Sequence, residues 1–134
     1  MSSSQMTERD AKVISNTAVE PERIELEGFQ RTVTKLLETT RMTFHVATFD
    51  PQQAGSHHVH PNSEEVTYII SGAGAVTVGT RTLELSAGDL FYGPPNVPHQ
   101  FRNTTNEPLV LFSIYSPPDE LPLYGNLPTA NDEA

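Results

Sequence analysis

Alternation of apolar and polar positions is the dominant signal in this chain. Met42, Phe44, Val46 and Thr48 alternate with Thr43, His45, Ala47 and Phe49, which predicts a strand with apolar character on both faces. Ile24 and Leu26 alternate with Arg23, Glu25 and Glu27 ahead of a turn at Gly28. In TVTKLLE, the Thr and Val residues favour strand over a short helix. VTYIISG, ending at Gly72, predicts a central strand, and AVTV predicts its hairpin partner across the Ser71–Gly74 connection. Turns at Val78–Arg81 and Ala87–Asp89 lead into TLELS and LFY, and HQFRN and LVLFSIYS supply the last strands. Val13 and Ile14 read as a short edge strand or a docked apolar pair. About nine or ten short strands between Gly/Pro turns, with no amphipathic helix, predict an antiparallel sandwich or small barrel.

Composition narrows the partners. The 134 residues suit one domain: a flexible N-terminal segment 1–12, a β domain 13–116 and a Pro-rich tail 117–134. In that tail Leu121, Leu123, Tyr124 and Leu127 could clip onto the body or another subunit. No cysteine is present, so neither a disulfide framework nor a thiolate metal site is available. The N-terminus does not read as a signal peptide and no run matches a membrane span, which points to a cytoplasmic protein. A net charge of −9, from 8 basic and 17 acidic residues, disfavours nucleic acid.

The chemistry concentrates in two stretches. GSHHVHPNSEEVTYIISG (55–72) sets His58 and His60 two residues apart, on one face of an extended segment, with Glu65 close behind. GDLFYGPPNVPHQFRN (88–103) adds His99. Three imidazoles and a carboxylate converging in a sheet-lined cavity make a seat for a divalent cation. Parity turns His57 away from its neighbours, making it a candidate for supporting the site from behind or for the surface, and it turns Glu64 outward.

These stretches resemble the two motifs of the cupin superfamily. Gly55, His58-Val59-His60, Glu65 and Gly72 answer the first, with a lead-in shorter than usual between Gly55 and His58. Gly88, Pro94, His99 and Asn103 answer the second, with Asn96 where the family has glycine. Asn is the least costly non-glycine residue at positive φ, so the motif tolerates it. The resemblance implies a jelly-roll β-barrel, a homodimer, and one divalent metal ion per chain held by His58, His60, Glu65 and His99. Fe, Mn, Ni and Zn all suit that donor set, with Fe or Zn favoured.

Three functions share such a site: oxygenation of a chelating enol, aromatic or oxo compound, redox-neutral Lewis-acid chemistry, and small-molecule binding without turnover. The expectation places a dioxygenase slightly ahead of an isomerase, lyase, decarboxylase or cyclase. His45, Thr67, Ile69 and Phe101 are the candidate cavity-lining residues, and His45, Tyr68, Tyr92 and Tyr115, together with a metal-bound hydroxide, the candidate general bases. Parity turns Tyr68 away from Glu65. A carboxylate clamp would need an inward arginine. Arg41 and Arg102 stand nearest the relevant strands, and Arg102 has the wrong parity, which disfavours dicarboxylate substrates.

Overall fold

The computed structural model describes residues 6–120. Its strands are β1 (Glu22–Ile24), β2 (Arg31–Glu38), β3 (Thr43–Phe49), β4 (Glu64–Ser71), β5 (Ala73–Val78), β6 (Arg81–Ser86), β7 (Leu90–Gly93), β8 (His99–Arg102) and β9 (Leu109–Ser116). They form a six-stranded sheet, ordered β1-β2-β3-β9-β4-β7, and a three-stranded sheet, ordered β6-β5-β8, with antiparallel neighbours throughout. Among the described residues no helix is long and apolar enough to cross a membrane. Leu121, Leu123, Tyr124 and Leu127 lie outside the described residues.

The all-β reading stands, but the closed jelly-roll barrel does not: the two sheets are separate and each keeps its own edges. The physical reason lies in the connections. Between β7 and β8 the chain runs through Pro94, Pro95 and Pro98, which lack the N–H a ladder needs. On the far side of β8, residues 54–58 make only two isolated bridges, Ala54 to Arg102 and His58 to His99. The expected β4–β5 hairpin is also corrected. β4 pairs with β7 and β9, whereas β5 leaves for the other sheet and pairs with β6 and β8. The chain changes sheets at Gly72, whose φ is +87° and where a Cβ would lie 2.4 Å from the Pro108 carbonyl oxygen. Only glycine fits that corner. Val13 joins no strand and is 97% exposed. Short 3-10 turns at Glu8–Asp10 and Asn16–Ala18, capped by Thr7 and Ser15, flank it.

The apolar core lies between the sheets. Ile24, Val33, Ala47, Phe49, Ile69, Leu109 and Leu111 from the large sheet meet Val76, Leu85 and Phe101 from the small one. Each fully buried aliphatic side chain here contributes about 2 kcal/mol. Cross-strand register then sorts the inner face of the large sheet into rows. Ala47, Leu111 and Ile69 form an apolar row, His45, Ser113, Thr67 and Phe91 the next, and Thr43, Tyr115, Glu65 and Gly93 the last. Polarity thus rises toward one end of the sheet, where the candidate ligands gather. Period-two alternation produces this directly, because every second residue of β3, β4 and β9 points inward.

Candidate metal centre

Four local features bring the ligand candidates together. Glu65 stands on β4 in the rung Tyr115–Glu65–Gly93. His99 opens β8 and is tied to His58 by reciprocal backbone bonds, His58 N to His99 O at 3.0 Å and His99 N to His58 O at 2.9 Å. The His60 carbonyl accepts from Asn96 N at 2.9 Å, and Asn96 adopts φ 64°, the left-handed conformation foreseen for this glycine position. Gly93 leaves room beside the ring of His99, since a Cβ there would come within 3.3 Å of its Cε1.

All four side chains are buried. His99 Nε2 donates to Glu65 Oε1 at 2.8 Å, while Nε2 of His58 and of His60 each stand 3.6 Å from the same oxygen. Among the described residues His58, Glu65 and His99 form a group whose donor atoms lie within 4.8 Å of one another. His60 falls outside that group, although its ring is 4.8 Å from that of His58. Each imidazole is anchored through Nδ1: His58 to Ser56 O at 3.0 Å, His60 to Asp119 Oδ2 at 2.8 Å and His99 to Val97 O at 3.2 Å. Glu65 is anchored too. Thr67 Oγ1 donates to its Oε2 at 2.6 Å, and Ser113 Oγ lies 2.6 Å from Thr67 Oγ1. The single hydroxyl hydrogen of Thr67 is thereby used, so Ser113 is the donor in the second contact.

Burial on its own would raise the Glu65 carboxyl, but the imidazoles of His58 and His99 outweigh it and hold the group below the usual carboxylate range. Burial would lower His99; its hydrogen bond to Glu65 reverses the sign and raises it. His60 is lowered, chiefly by burial and by the proximity of His58, and therefore keeps a neutral ring. Burial lifts Tyr115 well above the phenol range, with the charges of Glu65 and Asp119 adding to it. A phenol held so firmly protonated does not serve as the general base.

The residues fit a divalent cation. Among the described residues, Nε2 of His58 and of His60 are buried without a hydrogen-bond partner. Such orphaned acceptors are costly in a dry interior, and here both lie beside an ionised carboxylate. Imidazole nitrogens with Nδ1 fixed by an oxygen acceptor, together with that carboxylate, make a donor set for divalent cations.

The centre adjoins a cavity of about 30 Å³ lined by His58, Arg31, His45, Phe101, Ser113 and Tyr115 among others. That space holds about two waters. Val33 and His45 also line a wider groove of about 210 Å³, with Glu20, Glu22, Lys35 and Glu120, so the two spaces adjoin across these side chains. Of the candidate lining residues, His45 and Phe101 stand on the inner cavity wall. Thr67 instead holds Glu65, and Ile69 packs into the core. His57 is half-buried, Glu64 and Arg102 face solvent, and Tyr68 and Tyr92 are 38% and 49% exposed. Sequence reasoning overlooked Arg31, which is 2% exposed on the cavity wall, its Nη1 donating to Phe29 O at 2.8 Å. Its parity with Val33 on β2 was the available signal. It also overlooked Asp119, for which the aperiodic tail offered no signal.

Comparison with known proteins agrees with the geometry. A family model described as Cupin domain matches residues 45–115. The uncharacterized protein MJ1618 of Methanocaldococcus jannaschii is 39% identical over 61 residues, covering 46% of this chain and 49% of that protein. Oxalate decarboxylase OxdC of Bacillus subtilis is 36% identical over 75 residues, covering 52% of this chain and 20% of that protein. The chain thus spans about half or less of the length of these relatives. Among solved structures, the polyketide cyclase RemF from Streptomyces resistomycificus shares the fold, with a TM-score of 0.69 at 19% identity over 92% of this chain and 94% of that one. The oxidoreductase and dioxygenase expectation is corrected by these comparisons, because the reaction carried in the name of the curated relative OxdC is decarboxylation. With the matched region covering more than half of its length and both motifs folded around one buried cluster, the chain belongs to the Cupin domain family.

Proposed function

We propose that this protein is a metal-dependent catalyst of redox-neutral chemistry on a small anionic organic substrate. The class is proton movement beside a carbonyl or carboxylate, leading to isomerisation, elimination, decarboxylation or ring closure. His58, His60, Glu65 and His99 hold the ion. When bound, a divalent cation supplies Lewis-acid polarisation of a substrate oxygen.

The observation that carries this reading is that His58, Arg31 and His45 line one cavity. Arg31 places a permanent cation on the cavity wall, and its charge favours an anionic group there. His45 brings a proton acceptor. Burial, then the charge of Lys35, lowers it to about 4, so the imidazole is neutral near pH 7. Its buried Nδ1 has no hydrogen-bond partner among the described residues. The cavity has room for the carboxylate end of a substrate, and that anion raises the basicity of His45 toward the working pH as a proton moves onto it. Phe49, Phe101 and Leu111 keep water from the reacting atoms. Similarity to OxdC, named for a reaction on oxalate, supports an acidic substrate.

The test is proton exchange in D2O. A panel of 2-oxo and 3-oxo acids is incubated with protein loaded with zinc or manganese, and loss of the carbon-bound proton signal is followed by NMR. Exchange that disappears in His58→Ala and falls about 100-fold in His45→Gln supports the reading. Bound metal with no exchange across the panel contradicts it and leaves a binding protein.

A further inference from the structure

We propose that Asp119 is a positioning residue for His60, so that the segment following β9 is a built part of the metal centre. The proposal rests on the reading of His60 as a ligand.

Asp119 Oδ2 lies 2.8 Å from His60 Nδ1, a contact between residues fifty-nine positions apart in sequence. A carboxylate only accepts, so Nδ1 carries the hydrogen and the Nε2 lone pair of the neutral ring points away, toward Glu65 Oε1 at 3.6 Å. Without such an acceptor either nitrogen can carry the proton and the ring can turn. The other two imidazoles are anchored by backbone carbonyls within two residues, Ser56 O and Val97 O. His60 alone of the three takes its anchor from a side chain on a distant segment.

That segment is itself held. Thr43 Oγ1 donates to Asp119 O at 3.0 Å and accepts from Asp119 N at 3.2 Å. Ser63 Oγ donates to Pro117 O at 2.6 Å, three residues beyond His60. Pro117 and Pro118 limit the backbone freedom lost on docking. Thr43 shares the rung of Tyr115 and Glu65, so one row of the sheet fixes both the ligand carboxylate and the residue that aims His60. A carboxylate behind a ligating imidazole fixes its tautomer and strengthens it as a donor.

The test uses the full chain and cobalt(II), whose visible spectrum reports ligand geometry, with affinity read by competition against a chromophoric chelator. Asp119→Ala is expected to weaken cobalt binding about 10- to 100-fold and to shift the visible bands. Asp119→Asn, which keeps an acceptor oxygen, recovers most of the loss. In a His60→Ala background Asp119→Ala then changes affinity less than about twofold, because the two residues act as one unit. Asp119→Ala binding cobalt like wild type with an unchanged spectrum overturns the proposal, as does full additivity with His60→Ala. If His60→Ala is itself without effect while His58→Ala and Glu65→Gln abolish binding, the ligand assignment of His60 fails rather than the site. Loss of binding in none of these variants removes the site as well.

Discussion

Thr67 donates its hydroxyl to Glu65 from two residues along the same strand, at 2.6 Å, and thereby decides which carboxylate oxygen is left for the histidines. Oε2 is occupied by Thr67, and Oε1 faces His58, His60 and His99. The isosteric Thr67→Val removes that donor and leaves a buried carboxylate oxygen without a partner. Zinc affinity is expected to fall about tenfold, and the metal-free protein to lose about 2 kcal/mol. Chelator competition and urea denaturation measure the two effects; unchanged zinc affinity would show that Glu65 orients itself without Thr67.

His45 makes the stability of the metal-free protein depend on pH. Its folded-state value of about 4 lies below the ordinary 6.5. Between these values the unfolded chain binds a proton at this position that the folded chain refuses. The contribution is complete above pH 6.5 and is lost as pH falls toward 4, amounting to up to about 3 kcal/mol. His60, Glu65 and His99 titrate as well, so the comparison is between wild type and His45→Gln in EDTA. Urea midpoints should fall more steeply for wild type between pH 7 and pH 4.5; parallel slopes would place His45 in contact with water.

Asn103 closes the second motif as a structural residue. Its Nδ2 reaches Phe49 O at 3.2 Å, Asp50 O at 3.1 Å and Glu107 O at 2.7 Å, while Oδ1 accepts from Thr105 N at 2.9 Å. Asn103→Ala is expected to cost about 2–4 kcal/mol in urea denaturation. Metal affinity of the folded fraction should stay within about twofold of wild type. A drop in affinity comparable to that of Thr67→Val would tie Asn103 to the centre instead.

Much of this is legible in the chain because a strand has period two. The meeting of His58, Glu65 and His99, the outward aim of Glu64, Tyr68 and Arg102, and the positive φ at Asn96 all follow from spacing and residue type. The open sheets are not legible: a hairpin and a change of sheet both call for glycine at positive φ, and the contact that decides between them, Gly72 against Pro108, is thirty-six residues distant. Arg31 is masked by the rule that arginine faces water, although its parity with Val33 points inward. Asp119 follows two prolines in a stretch without periodicity, and only tertiary contact with Thr43 and His60 gives it a role.

The central claim is that the buried imidazoles and Glu65 form a cation site, and metal content measures it most directly. Protein stripped with chelator, reloaded with zinc and desalted should carry one ion per chain by elemental analysis, and His58→Ala, Glu65→Gln and His99→Ala should carry none. Wild type that retains no ion, or variants that retain as much as wild type while still folded, would contradict it.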